Sequence, residues 1–109
     1  MKDHSEEFRI LIEKYKERGL EYGKPKEYIE FRNSCSIEEL EKALLEFKDL
    51  KFVERQVKEG EKRYKTYHVY SSKRGRVYVI TFTDKIRIIS IYPLSQSTVK
   101  RYHRAKFKK

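Results

Sequence analysis

The chain has 109 residues, of which 38% are hydrophobic and 40% are charged, and its formal net charge is +10. This length predicts one domain with a modest core, and no apolar run approaches the ~20 residues of a membrane span, so we expect no membrane association. The single cysteine, Cys35, excludes an internal disulfide, and with an N-terminus that lacks a signal peptide's apolar stretch it predicts a cytoplasmic protein.

The first half of the sequence has the apolar period of helices. Residues 5–18 place an apolar side chain at every third or fourth position, which predicts a first helix. Pro25 suits the first turn of a short helix that runs through Arg32. Ser36 begins an S-x-x-E capping box, which predicts a third helix through about Lys48.

From residue 50 onward the apolar period changes to 2, which is typical of strands. Four strands are predicted, with the sequences LKFVERQV, KRYKTYHVY, RVYVITF and IRIISIY. Pro93 ends the last strand because it has no N–H for the ladder, and Ser95 caps a final helix. We therefore expect a single α+β domain over residues 1–109: N-terminal helices, a four-stranded antiparallel meander and a C-terminal helix, with the helices on one face.

Residues 1–27 precede the part of the chain that carries the strongest functional signals. They are interpreted as an N-terminal helical extension, whose role is open: a packed helix, a homodimer arm or a partner-binding lid. The Lys/Glu-rich composition is typical of a thermophile.

The charge is unevenly distributed along the chain. Residues 1–50 contain 10 Lys/Arg and 13 Asp/Glu, a net charge of −3, and residues 51–109 contain 17 Lys/Arg and 4 Asp/Glu, a net charge of +13. Such a field attracts polyanions and speeds their capture. We therefore predict nucleic acid as the partner, the alternative being a basic protein whose charge only keeps it soluble.

The residues that would contact the nucleic acid come from the last turns and helix. The candidate binding residues are Lys73, Arg74, Tyr92, Lys100, Arg101 and Arg104. Tyr92 is interpreted as a residue that stacks on a base. Tyr64 and Tyr70 are further stacking candidates if their strand face is open.

A metal site is not predicted. Two-metal nucleases need clustered carboxylates, and past residue 61 the chain has only Asp84. One cysteine and three scattered histidines show no zinc-ligand spacing. RNA can be cleaved without a metal because its own 2′-OH is the nucleophile, so we expect neither metal nor cofactor.

Arginines of the last two strands are the candidates for stabilising a phosphate. Arg87 lies in a strand where simple alternation places it on the same side as Ile89 and Ile91, so it either lines a groove or is a structural cation at the sheet edge. Arg76 would lie close to Arg87 if the two strands pair through their short turn, and Arg74 is the alternative.

The acid/base candidates are Tyr102 and His103 in the last helix. The pKa of tyrosine, ~10, must be lowered by neighbouring cations before it acts as a base, whereas histidine needs no such shift. Tyr102 also fits the apolar stripe of its helix, so packing is the alternative role. His68 is interpreted as a structural histidine of the sheet.

The stretch GRVYVITFTDKIRIISIYPLSQSTVKRYHR resembles the C-terminal half of the RelE/ParE superfamily of toxins, especially its BrnT-like branch. Arg76 opens the first strand, an RIIS strand ends at Ser90, and Tyr102 follows in the next helix. The similarity covers about residues 28–104. It departs from the family pattern at Tyr92, where a basic residue is usual.

The resemblance implies a RelE-like fold and a metal-independent endoribonuclease that cuts mRNA and is neutralised by an acidic antitoxin. Its site would be built from Arg76, Arg87 and Tyr102. Two alternatives stay open: a non-catalytic basic nucleic-acid-binding protein of plasmid, viral or archaeal origin, and an interaction protein whose basic face docks an acidic partner chain.

Overall fold

The computed structural model describes residues 2–107, and in the last helix it describes side chains as far as Arg101. The helices are α1 (Ser5–Tyr15), α2 (Lys26–Asn33), α3 (Ile37–Glu46) and α4 (Gln96–Phe107), with a short 3₁₀ helix at Lys16–Arg18. The strands are β1 (Leu20–Tyr22), β2 (Leu50–Lys58), β3 (Glu61–Val69), β4 (Gly75–Phe82) and β5 (Ile86–Pro93). The α+β class is therefore confirmed. No helix in the described part of the chain has the length and apolar character needed to cross a membrane.

Two local sequence signals act as predicted. The Ser36 hydroxyl accepts a hydrogen bond of 3.2 Å from the Glu39 amide and so caps α3. This helix ends earlier than predicted because Phe47 adopts a left-handed backbone with φ of 60°. Glu59 and Gly60 both have positive φ, 54° and 80°, which suits the tight hairpin turn between β2 and β3.

The sheet has five strands in the order β1-β5-β4-β3-β2, one more than predicted. Strands β2 to β5 are antiparallel neighbours in chain order, as expected. The additional strand, β1, pairs in parallel with β5, with Leu20 opposite Ile86 and Tyr22 opposite Ile88. Three residues are too few for a period of 2 to be recognised, so the prediction missed this strand.

One face of the sheet carries the main hydrophobic core, beneath α1, α2 and α3. Tyr78 of β4 is fully buried there, and its hydroxyl donates a 2.7 Å hydrogen bond to the Leu40 carbonyl of α3. The buried side chains of this core include Phe8, Ile12, Ile29, Leu40, Leu44, Val53, Tyr64, Ile80, Ile86, Ile88 and Ile91. Tyr64 lies inside this core, so the open strand face that base stacking by Tyr64 required is not present.

The last helix, α4, packs on the opposite face. Side chains alternate along a strand, so Gly75 presents its Cα hydrogen to the face opposite Arg76 and Tyr78. A Cβ at Gly75 would lie 2.8 Å from Leu94 Cδ1 and 3.3 Å from Val99 Cγ2 of α4. Only glycine leaves room for this contact. The prediction that all helices share one face is therefore wrong for α4.

Residues 2–27 are integrated into the fold. Phe8 and Ile12 of α1 have no exposed surface and belong to the main core. The segment before α1 is bound to the edge of β2, since the His4 amide donates to the Val53 carbonyl and Asp3 accepts from the Val53 amide, at 2.8 and 3.0 Å. Of the three roles left open for this segment, the structure supports that of a packed helix.

His68 of β3 is fully buried, and its Nε2 lies 3.0 Å from the Thr66 hydroxyl. Burial, together with the charge of nearby Arg76, lowers the pKa of His68 from 6.5 to about 3. The ring is therefore neutral at physiological pH and is held in the sheet, which agrees with a structural role.

This buried histidine predicts a loss of stability in acid. Between pH 6.5 and 3 the unfolded chain binds a proton at His68 and the folded chain does not, so the free energy of unfolding falls by up to about 1.4 kcal/mol per pH unit as pH decreases. Urea titrations at pH 7, 5.5 and 4.5 measure this slope. His68→Gln should remove this part of it and His4→Gln should not; equal slopes in all three proteins would contradict the assignment.

Candidate nucleic-acid interface

Arg76 lies at the start of β4, on the face that α2 covers. Its Nη2 is 3.4 Å from the Asn33 carbonyl oxygen, at the end of α2. The guanidinium lies over the Tyr70 ring, 5.2 Å from the ring centroid, within the range of a cation–π interaction. These two contacts hold the half-buried guanidinium in a defined position.

The end of α2 is held against β5 by a buried side chain. Asn33 is only 6% exposed, and its amide Nδ2 donates to the carbonyl oxygens of Ile29, at 2.9 Å, and Ile91, at 3.3 Å. Ser34 then takes a left-handed conformation with φ of 51°, which ends the helix. The last turn of α2 therefore lies next to Arg74, which precedes β4, and Arg76, which is at the start of β4.

A pocket of about 290 Å³ lies between these segments. Its lining residues are Arg32, Asn33, Ser34, Tyr70, Arg74, Gly75, Arg76 and Pro93. Three of them are arginines and none is a carboxylate, so the lining of the pocket is positively charged. We refer to it as the arginine pocket.

Within the described part of the chain, the three arginines of this pocket have no carboxylate partner, in contrast to three other arginines. Arg55 pairs with Glu7 at 2.9 Å, Arg63 with Glu61 at 2.9 Å, and Arg87 with Glu21 at 3.1 Å. Among the described side chains, no carboxylate lies within 4.0 Å of the guanidinium groups of the three pocket arginines. Their positive charge is therefore available to a ligand.

Two buried polar atoms beside the pocket also lack a partner. Among the described residues, Asn33 Oδ1 and Tyr70 Oη have no hydrogen bond. Burial raises the pKa of Tyr70, so its phenol stays protonated at neutral pH and can donate a hydrogen bond. An unsatisfied buried group costs stability, and such groups are often found where a ligand binds.

A larger cleft, of about 500 Å³, lies at another edge of the sheet and is less suited to an anion. It is lined by Leu11, Tyr64, Phe82 and the β2–β3 turn, and it contains the carboxylates of Glu59 and Glu61.

Arg87 does not lie beside Arg76, so the predicted proximity of these two arginines is wrong. In the β4–β5 hairpin, Arg87 is opposite Thr81, whereas Arg76 is opposite Pro93. Five residues of extended strand separate Arg76 from Thr81, roughly 17 Å. Because β4 and β5 pair antiparallel, the beginning of β4 lies opposite the end of β5.

Arg87 and Arg76 also point to opposite faces of the sheet. Arg87 is opposite Thr81 and shares its face of the sheet. Thr81 follows the buried core residue Ile80 and therefore points away from the core, whereas Arg76 points to the same face as Ile80. The register shifts by one residue at Ile89, and this bulge places Ile91 in the core although Arg87 faces away. The predicted common side of Arg87 and Ile91 is therefore wrong as well.

The other predicted binding residues are spread around the arginine pocket and across the opposite face. Arg74 lines the pocket, and Lys73 is exposed next to it; the carbonyl of Lys73 accepts a 3.1 Å hydrogen bond from Gln96 of α4. Lys100 and Arg101 are exposed on α4.

Tyr92 is half-buried and lies on the face opposite Arg76. Tyr92 is paired with Val77 of β4. The same row across the sheet continues through Tyr67 of β3 to Phe52 of β2. Tyr92 therefore belongs to a cross-strand row with two other aromatic residues, away from the arginine pocket.

Tyr102, His103 and Arg104 lie outside the side chains that the structure describes. Within the described residues, no group of three or more His, Cys, Asp or Glu side chains lies together where it could hold a metal ion.

The sequence interpretation missed Arg32 and Asn33 as site residues. In the sequence, Arg32 marks only the end of the predicted helix. The sequence signal for its role is its position four residues after Tyr28, which makes the two side chains neighbours on the helix. The Tyr28 hydroxyl accepts a 3.0 Å hydrogen bond from Arg32 Nη1. Tyr70 was considered for stacking, but the structure has its ring under the Arg76 guanidinium.

Comparison with known proteins adds no assignment. No family model matches the chain, no curated protein matches it in sequence, and no solved structure matches it. The similarity to the RelE/ParE toxins therefore stays a prediction.

Proposed function

We propose that the protein binds nucleic acid through the phosphate backbone, with the arginine pocket as the principal contact. The observation that carries this proposal is the convergence of Arg32, Arg74 and Arg76 on one pocket that has no carboxylate in its lining. Arginine binds phosphate oxygens through two parallel N–H groups, and Arg76, which is half-buried and held in a defined position, loses little entropy when it does so.

A polymer suits this surface better than a small anion. Residues 51–109 carry a net charge of +13, and Lys73, Lys100 and Arg101 present exposed cations outside the pocket. A single phosphate would engage only the pocket, whereas a chain of phosphates also gains from cations farther away.

Binding without catalysis is the interpretation that the described residues support. The predicted ribonuclease requires Arg76 and Arg87 on one surface, and these residues lie on opposite faces. Near Arg76, burial raises the pKa values of both Tyr70 and Cys35, so neither is a base at neutral pH. A RelE-type activity would need a different set of residues.

Fluorescence anisotropy with labelled 20-nucleotide RNA and DNA tests this proposal. We expect binding whose logarithmic affinity falls linearly with log[NaCl], with a slope of about −0.7 for each phosphate of a single strand that the protein contacts. The absence of binding at low salt, or a slope near zero, would contradict the proposal. Incubating the same RNA with protein in EDTA is the check on catalysis, because we expect no cleavage.

A further inference from the structure

The surface of α2 next to the arginine pocket exposes two aromatic side chains. Phe31 is 86% exposed and Tyr28 is 44% exposed. They are three residues apart on one helix, which brings their Cβ atoms to about 5–6 Å from each other. A single exposed apolar residue is ordinary, but a pair of neighbouring aromatic rings beside an anion pocket is a surface that a ligand can use.

Arg32 connects this aromatic pair to the pocket. Its Nη1 donates a 3.0 Å hydrogen bond to the Tyr28 hydroxyl, and the same side chain lines the arginine pocket. The carbonyl of Phe31 accepts a 3.4 Å hydrogen bond from the amide of Ser34, another lining residue. The rings and the pocket therefore share the last turn of α2.

The charges around the two rings favour a ligand whose negatively charged group lies on the side of Arg32. Lys24 Nζ lies 5.7 Å from the centroid of the Tyr28 ring, so one face of that ring has a cation, and the ring of Phe31 is the more open of the two. The exposed carboxylate of Glu27 lies one turn before Phe31 and repels phosphate from that side.

We propose that this surface selects single-stranded nucleic acid, with an unpaired base stacked on Phe31 and the adjoining phosphate in the arginine pocket. The inference rests on the proposed function and specifies its substrate. A duplex hides its base faces inside the helical stack, so only an unpaired base can use the Phe31 ring. Stacking tolerates every base because each has a π face, so little sequence preference is expected.

The chain contains no tryptophan, so Phe31→Trp introduces the only one and reports on this position directly. With the 20-nucleotide single strand, we expect its fluorescence to be quenched as the strand stacks. With a blunt-ended duplex of the same strand and its complement, we expect little quenching. Unchanged fluorescence at a strand concentration that saturates the anisotropy signal would overturn the inference.

Phe31→Ala provides the energetic test, and Ile10→Ala is the matched control. Ile10 is also an exposed apolar residue, 63% exposed, but it lies on α1. Phe31→Ala should weaken single-strand binding by about 10-fold and duplex binding by less than about twofold. Ile10→Ala should change neither.

The outcomes separate this inference from the proposed function. If the wild type binds single strands and duplexes with a steep salt dependence but Phe31→Ala changes neither affinity, the stacking inference falls and phosphate binding stands. If the wild type binds no oligonucleotide, the proposed function itself fails, and the stacking inference fails with it.

Discussion

Arg76→Gln is expected to weaken nucleic-acid binding by about 10- to 100-fold, whereas Arg87→Gln is expected to weaken it by less than about threefold. Hydrogen bonds to a charged group contribute about 1.5–3 kcal/mol, which corresponds to this range for Arg76. Arg87 already pairs with Glu21 on the surface, and surface ion pairs of this kind contribute only about 0–1 kcal/mol to stability. The two variants remove the same charge from neighbouring strands.

Anisotropy titrations at several salt concentrations measure both effects. For Arg76→Gln, the slope of log affinity against log[NaCl] should become shallower by about 0.7 for a single strand, because one phosphate contact is lost. Arg76→Lys should recover the slope but only part of the affinity, because lysine keeps the charge without the planar guanidinium. Circular dichroism spectra check that each variant is folded.

The opposite ranking would be equally informative. If Arg87→Gln abolished binding and Arg76→Gln did not, the interface would lie on the other face of the sheet, with the row that contains Tyr92. An equal, small loss in both variants would indicate that binding depends on overall charge and that the arginine pocket has no special part in it.

Phe8→Ala is expected to lower the free energy of unfolding by about 3–5 kcal/mol. Phe8 has no exposed surface and packs against the rings of Phe47, Tyr64 and Phe82, with centroid distances of 6.0–6.5 Å. Removing the ring loses its burial and leaves a cavity among other rings. Since domains of this size are stable by only about 5–15 kcal/mol, the variant should be close to unfolding at physiological temperature.

Urea denaturation followed by circular dichroism measures this effect. Ile10→Ala, on the exposed side of the same helix, is the control and should change stability by less than about 0.5 kcal/mol. A Phe8→Ala protein as stable as the wild type would mean that α1 is not part of the core, and that residues 1–27 are an appendage after all.

Much of the secondary structure is readable from local patterns. The period of 3.6 in α1 and α3 follows from burying one stripe of a helix, and the period of 2 in β2 to β5 follows from covering a sheet. Ser36 and the Glu59–Gly60 turn act through their own backbone neighbours, so they need no distant partner. The parallel pairing of β1 with β5 joins residues far apart in the chain and leaves no local pattern.

The candidate site was less accessible to sequence reasoning. Arg76 and Arg74 were identified because they are arginines at the start of a strand, a property visible in the sequence. Their partner Arg32 lies in a helix, 44 residues before Arg76, and only the docking of α2 on β5 brings them together. The bulge at Ile89 reversed the predicted direction of Arg87, since one extra residue inverts the alternation.

By itself, the sequence determined the helices α1 to α4 and the strands β2 to β5, because periodicity and capping depend on near neighbours. It also determined the positive charge of residues 51–109. Only the tertiary structure decided which arginines have carboxylate partners and which are left to line a pocket. Those pairings depend on strand register and helix docking, which bring together residues that no local pattern connects.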